Sequence, residues 1–126
     1  MIKIDVFIQN KNWKKYISNP NGYIKSKAKL INSTLRFIKN KKINFSILLA
    51  GSKEVRILNK KFRKKNKTTD VLSFPIDYKV KKKYYLGDIA ISYEIIKKRS
   101  NKSDFFLEFD KIWIHGYLHL LGYDHK

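Results

Sequence analysis

The sequence of 126 residues contains no cysteine. That excludes disulfide staples, cysteine-ligated zinc knuckles and thiol catalysis. No apolar run approaches the ~18 residues of a membrane-spanning helix. The opening residues Met1-Ile2-Lys3-Ile4-Asp5-Val6 lack the continuous apolar core of a signal peptide. The expectation is therefore a cytoplasmic protein with no membrane partner. Acidic residues are scarce, with 10 Asp and Glu against 29 Lys and Arg, for a formal net charge of +19. Such a surface attracts polyanions and binds nucleic acid in a salt-dependent way. The excess is mostly lysine, in a chain also rich in Asn and Ile, as AT-rich coding produces. Its sign is therefore more informative than its size.

The apolar content of 43% and aromatic content of 14% are enough for a globular core. A chain of this length buries roughly two-thirds of its unfolded surface. With no internal repeat, linker or low-complexity tail, residues 1–126 read as a single domain.

Ile2, Ile4, Val6 and Ile8 alternate with other residues, which predicts a strand over 2–8. Trp13 to Asn21 reads as a polar connection. Ile24, Ala28, Ile31, Leu35 and Ile38 recur at helical spacing and predict a helix over about 21–39, with Lys39, Lys41 and Lys42 at its negative pole. Ile43 to Leu49 is apolar enough for a central strand. Ser52 is placed to cap a helix that buries Val55, Leu58 and Phe62. Thr68-Thr69-Asp70 is turn chemistry, and Val71 to Phe74 a short strand stopped at Pro75. Lys79 to Lys83 reads as a basic loop or hairpin tip, followed by a strand over Leu86 to Ile91. Ser92 is placed to cap a helix through Arg99. Ser103 is placed to cap a last helix, apolar on most sides and therefore expected to be buried. The fold class expected is α+β: one domain, a mixed, mostly parallel sheet of four strands with helices packed on it, and a metal-site helix near the carboxyl end.

All three histidines lie in the last dozen residues, spaced H-x3-H-x5-H. His115 and His119, four apart on a helix, project from one face. Gly122 can take the left-handed conformation that ends a helix and turns the chain back, bringing His125 to the same ion. Three imidazole ligands leave a coordination position open, which suits a catalytic metal of zinc type. The spacing matches the zincin pattern H-E-x-x-H-x-x-G-x-x-H at every metal position, but Gly116 stands where that pattern has its glutamate base. Gly116 makes room either for a bulky substrate or for close packing. Basic surroundings favour phosphodiester over peptide cleavage. In the run Lys60-Lys61-Phe62-Arg63-Lys64-Lys65-Asn66-Lys67, Arg63 is either a bidentate phosphate fork or a solvated surface arginine.

Three motifs, in order, carry a resemblance covering most of the chain from about residue 43 onward. They are Leu58-Asn59-x-x-Phe62-Arg63 with Thr69-Asp70-Val71-Leu72-Ser73-Phe74-Pro75, then Leu86-Gly87-Asp88-Ile89-Ala90-Ile91-Ser92, then His115-Gly-x-Leu-His119-Leu-x-Gly122-Tyr-Asp-His125. The chain resembles the YbeY endoribonuclease family of rRNA maturation factors. The resemblance implies a zinc-dependent endoribonuclease that prefers single strands, with one ion per chain held by His115, His119 and His125. Arg63 would be the essential cation of the RNA cleft, so that Arg63, His115 and His119 form the catalytic set. The implied partners are single-stranded RNA, small-subunit rRNA at its 3′ end, and the small ribosomal subunit with its assembly factors, in ribosome biogenesis and quality control. Ser73 and Asp88 match motif positions and are assigned to shaping the site. Asp124 is either a support for His125 or a turn-forming residue. Relatives usually continue past the third histidine into a further helix, where this chain stops at Lys126. His125 is therefore expected to depend on the metal for its order. Two other readings stay open: a zincin-type metallopeptidase with Glu94 or Glu108 as substitute base, and a non-catalytic RNA-binding assembly factor with a structural metal.

Overall fold

The computed structural model describes residues 2–34, 43–76, 85–102 and 104–122. Four strands form one sheet: β1 (Ile2–Ile8), β2 (Ile43–Ala50), β3 (Val71–Pro75) and β4 (Tyr85–Ser92). Their order is β1-β2-β4-β3, with β1, β2 and β4 parallel and β3 antiparallel on β4. The expected mixed, mostly parallel sheet is what forms. The helices are α1 (Pro20–Thr34), α2 (Ser52–Arg63), α3 (Tyr93–Arg99) and α4 (Phe105–Leu120).

Period-two alternation decides what each sheet face meets. Ile4, Phe45, Ile47, Ile89 and Ile91 pack against Ile24 and Ala28 of α1 and against Phe109, Trp113 and Tyr117 of α4. The opposite face presents Ala50, Leu72 and Ala90, which pack with Val55 of α2. Trp13 joins the first core. The expected polar connection contains a short 3-10 helix, Lys11–Lys15, whose Trp13 is fully buried. Its ring lies against Tyr93, Phe105 and Phe109, and its Nε1 donates to the Ala50 carbonyl at 2.9 Å. A buried indole needs that acceptor, which a reading by polarity of the neighbours overlooks.

β4 carries an extra residue relative to β2: Asn44 faces Tyr85, yet Ser46 faces Asp88. This bulge centres on Gly87, whose φ of 140° and approach to the Phe74 carbonyl, 2.3 Å from where a Cβ would stand, admit no side chain. Its consequence is that Tyr85 and Asp88, three residues apart, share one face. The Tyr85 hydroxyl donates to Asp88 Oδ1 and lies 2.9 Å from Ser46 Oγ.

Helix ends differ from the sequence expectation in instructive ways. Gly51, not Ser52, occupies the cap position of α2, and the Ser52 N–H is satisfied by Glu94 Oε1 at 2.7 Å. The cap of α2 therefore comes from α3. Ser92 does sit at the cap of α3 but makes no capping bond; its hydroxyl pairs with that of Ser52 at 2.6 Å. Asp104 rather than Ser103 caps α4, accepting from the Phe106 N–H at 2.8 Å. Phe62, expected to be buried, is 59% exposed. The expectations for Leu35, Ile38, Lys39, Lys41, Lys42, the Lys79 to Lys83 loop and the Ser103 hydroxyl fall outside the described residues.

Buried phenols link the fold to pH. Tyr117 donates to Asn32 at 2.6 Å, and burial pushes its hydroxyl up to about 12, with the Asn32 contact pulling weakly the other way. Burial, and then Asp110, raise Tyr23 as well. An unfolded tyrosine ionises near 10, so above that pH the native state holds protons that the unfolded state has lost. These groups therefore contribute full stability below pH ~10, and the contribution is lost as pH rises through the folded value. Urea midpoints measured from pH 8 to 12 should hold steady and then fall, and Tyr117→Phe should flatten the fall. A decline as steep in the variant as in the parent would exclude Tyr117 as its source.

Candidate active site at the open edge of the sheet

α4 presents Phe105, Phe109, Ile112, Trp113, Gly116, Tyr117 and Leu120 to the protein interior. His115 and His119 therefore lie off that stripe: His115 is exposed and His119 half-buried. The expectation that α4, apolar on most sides, is buried is corrected here, because its outer face is open to solvent (Leu107 is 57% exposed). The two imidazoles do not fill a core position. They stand on the last two turns of the helix, outside its buried stripe. The helix ends one residue later, where the Gly122 N–H closes on the His119 carbonyl at 3.1 Å and Gly122 takes a φ of 102°. Gly122 thus takes the left-handed conformation expected of it at the helix end. His125 and Asp124 lie outside the described residues, and among the described residues no three metal-ligating side chains cluster.

Gly116 now has a reason. A Cβ there would stand 3.1 Å from Ile89 Cγ2 and 3.3 Å from Ser73 Oγ. Of the two uses left open by sequence, the structure selects close packing. The helix backbone lies directly on β3 and β4, with no room for the zincin glutamate on that side. Ser73 is buried beneath it, on the same face of the sheet as Ile89, its register partner.

Arg63 reaches the same strand from the other side. It is the last residue of α2, and its Nη2 donates to the Ser73 carbonyl at 2.5 Å, with the guanidinium carbon 5.6 Å from the centre of the Phe74 ring. A charged donor on a carbonyl, backed by an aromatic face, fixes the planar group far better than a solvated lysine is fixed. Arg63, Ser73, Gly116 and His115 thus form a continuous series of contacts and chain neighbours across edge strand β3. Phe74 was missed as a functional residue; its signal was the Phe62-Arg63 step followed by Ser73-Phe74.

The basic run is built rather than loose. Lys64 adopts a left-handed φ of 58°, and the Lys64 and Lys65 N–H groups return to the Lys60 and Asn59 carbonyls. Asn59 Nδ2 holds the Lys67 carbonyl at 2.9 Å, and Arg56 Nε holds Asn66 Oδ1 at 2.9 Å. Asp70 caps the turn into β3 through the Val71 N–H and pairs with Arg99 at 2.7 Å. Asp88, assigned to shaping the site, projects from the sheet face of Phe74 and Ala90, the face on which Arg63 stands. It does not face the histidines.

The comparisons bear on the family and the fold. The family model for endoribonuclease YbeY matches residues 7–126. The chain is 50% identical over 131 aligned positions to the endoribonuclease YbeY of Pelagibacter ubique, covering 99% of this chain and 84% of that protein. It is 39% identical over 127 positions to that of Wolbachia sp. subsp. Drosophila simulans, covering 98% and 82%. The solution structure of TM1509 from Thermotoga maritima superimposes with a TM-score of 0.62 at 26% identity, over all of this chain and 75% of that one.

The close fit at Gly116 predicts a graded response. Gly116→Glu should lower the urea-unfolding free energy by about 2 kcal/mol through overpacking. Gly116→Ala should stay within about 1 kcal/mol of the parent, because helix propensity opposes the crowding. Adding Ile89→Val to Gly116→Glu should recover part of the loss; a Gly116→Glu variant as stable as the parent would contradict the packing. Motifs, matched model, relatives and fold coincide, and the chain belongs to the endoribonuclease YbeY family.

Proposed function

We propose that the protein is a zinc-dependent, single-strand-specific endoribonuclease of small-subunit rRNA 3′ maturation and ribosome quality control, working with the small subunit and its assembly factors. The observation that supports it is the pair of imidazoles on α4, one exposed and one half-buried, with a guanidinium fixed on Ser73 and Phe74 at the other side of β3. His115 and His119, with His125 brought round by the bend at Gly122, are the zinc ligands in this reading. The donor set fits: imidazoles one helical turn apart suit an ion that keeps a position for substrate. When bound, zinc would supply Lewis-acid polarisation of a phosphoryl oxygen and a water of pKa near ~7.

Arg63 holds the scissile phosphate. One of its nitrogens is committed to Ser73, and the exposed remainder of the fork meets charge that grows on the phosphoryl oxygens. The exposed Lys60, Lys61, Lys64, Lys65 and Lys67 draw the strand to that point. The peptidase alternative is not favoured. Gly116 is packed against Ile89, Glu94 caps α2, and Glu108 lies in the first turn of α4 with Lys111 at 3.6 Å. Each glutamate thus has another engagement, with the Ser52 N–H or with Lys111. The non-catalytic alternative is not favoured either, because the relatives carry the name endoribonuclease.

The purified protein should contain about one zinc per chain and cut single-stranded RNA but not casein; a chelator should stop cleavage and zinc restore it. His119→Ala should lose the metal together with cleavage. Arg63→Lys should keep the metal and lose about a hundredfold in rate, since a point charge does not replace the fork. Cleavage of RNA by His119→Ala at the parent rate would overturn the assignment.

A further inference from the structure

We propose that the groove on the sheet face opposite α4 is a nucleobase subsite that seats one base of the RNA strand whose phosphate Arg63 holds. The proposal rests on the endoribonuclease reading and adds a specificity to it. α2 packs over β4 and β3 but leaves the face toward β1 open. The result is a cavity of about 470 Å³ walled by Phe7, Leu58, Phe62 and Phe74, with Ser46 and Asp88 among its polar lining. That size is in the range of small-molecule sites.

Three observations select a base rather than an apolar peptide. First, the aromatic walls alternate with cations. Lys61 Nζ lies 5.3 Å from the centre of the Phe62 ring, Arg63 stands on Phe74, and Phe62 meets Phe74 edge-on at 5.6 Å. Aromatic faces for bases, interleaved with cations for phosphates, are the arrangement that binds single strands. Second, Phe74 belongs to both places: it carries the guanidinium and lines the groove. A strand whose phosphate sits at Arg63 therefore delivers a neighbouring base to the groove mouth, where Phe7 and Phe62 are 58% and 59% exposed. Third, the Asp88 carboxylate repels phosphate and only accepts hydrogen bonds. Through the β4 bulge it is braced by Tyr85, which also meets Ser46. An acceptor there favours a base with the two N–H donors of an exocyclic amino group, such as cytosine or adenine, over uracil, whose one edge donor is its ring N3–H.

The test uses the full chain and uncleavable 2′-O-methyl octanucleotides of cytidine or of uridine, read by fluorescence anisotropy, with cleavage kinetics on the matching RNA. The parent should bind oligo-C more tightly than oligo-U. Phe7→Ala and Phe62→Ala, both at exposed positions, should each weaken oligo-C binding about tenfold and raise KM more than they lower kcat. Asp88→Asn, which gains a donor for the uracil carbonyl, should narrow the C/U preference. Leu30→Ala, an equally exposed apolar residue on α1, should change neither value. Equal affinity of the parent for the two oligomers, or unchanged binding and KM in both phenylalanine variants, would overturn the subsite while leaving the endoribonuclease reading intact; the groove would then be left to a protein partner. A parent that neither binds nor cuts single-stranded RNA would sink the endoribonuclease reading, and the subsite with it.

Discussion

The contact on which the site depends is the seating of α4 on the sheet at Gly116. With no side chain there, the helix backbone comes down onto Ile89 and Ser73. A second glycine completes the fit from the strand side. At Gly87 a Cβ would stand 3.0 Å from Leu120 Cδ2 as well as against the Phe74 carbonyl. Two glycines, one on the helix and one in the bulge of β4, therefore set the height of the last helical turns over β3. Below that contact Trp113 and Tyr117 are fully buried; above it His115 is exposed and His119 half-buried. Close packing of this kind transmits small shifts rather than absorbing them, so the histidine turn inherits its position from the core.

The same edge strand receives Arg63 from the far side. The guanidinium is held by one carbonyl and one ring, and α2 itself is held at both ends. Glu94 satisfies the Ser52 N–H at its start, and the Asn59 and Arg56 side chains tie down the basic loop at its end. A long flexible cation is thereby converted into a fixed one, which lowers the ordering cost of any contact its fork makes. β3 is short, and its antiparallel pairing to β4 leaves its outer edge for this use.

Much of this was legible in the residues. Alternation in Ile2 to Ile8 and the apolar run from Ile43 placed the parallel strands, and helical spacing through Ile24, Ala28 and Ile31 placed α1. Histidine spacing and Gly122 placed a helix end that the backbone shows. Long-range partners were not legible. Glu94 caps a helix 42 residues away in sequence from its own position, and local capping rules name only neighbours such as Ser52. Trp13 looked polar because its neighbours are Lys and Asn; its burial is decided by Tyr93, Phe105 and Phe109, far along the chain. The orientation of Asp88 follows from a one-residue bulge, which reverses a side chain without changing the sequence pattern. The alternatives for Gly116 needed the position of Ile89, which no local motif contains.

The most direct test of a three-imidazole site beside Arg63 is zinc K-edge X-ray absorption on the full chain loaded with one equivalent of zinc. Three imidazole nitrogens with one or two further light-atom ligands are the predicted shell, falling to two imidazoles at most in His119→Ala. A shell with one imidazole or none, or one unchanged by that substitution, would contradict the assignment of His115, His119 and His125 as the metal centre.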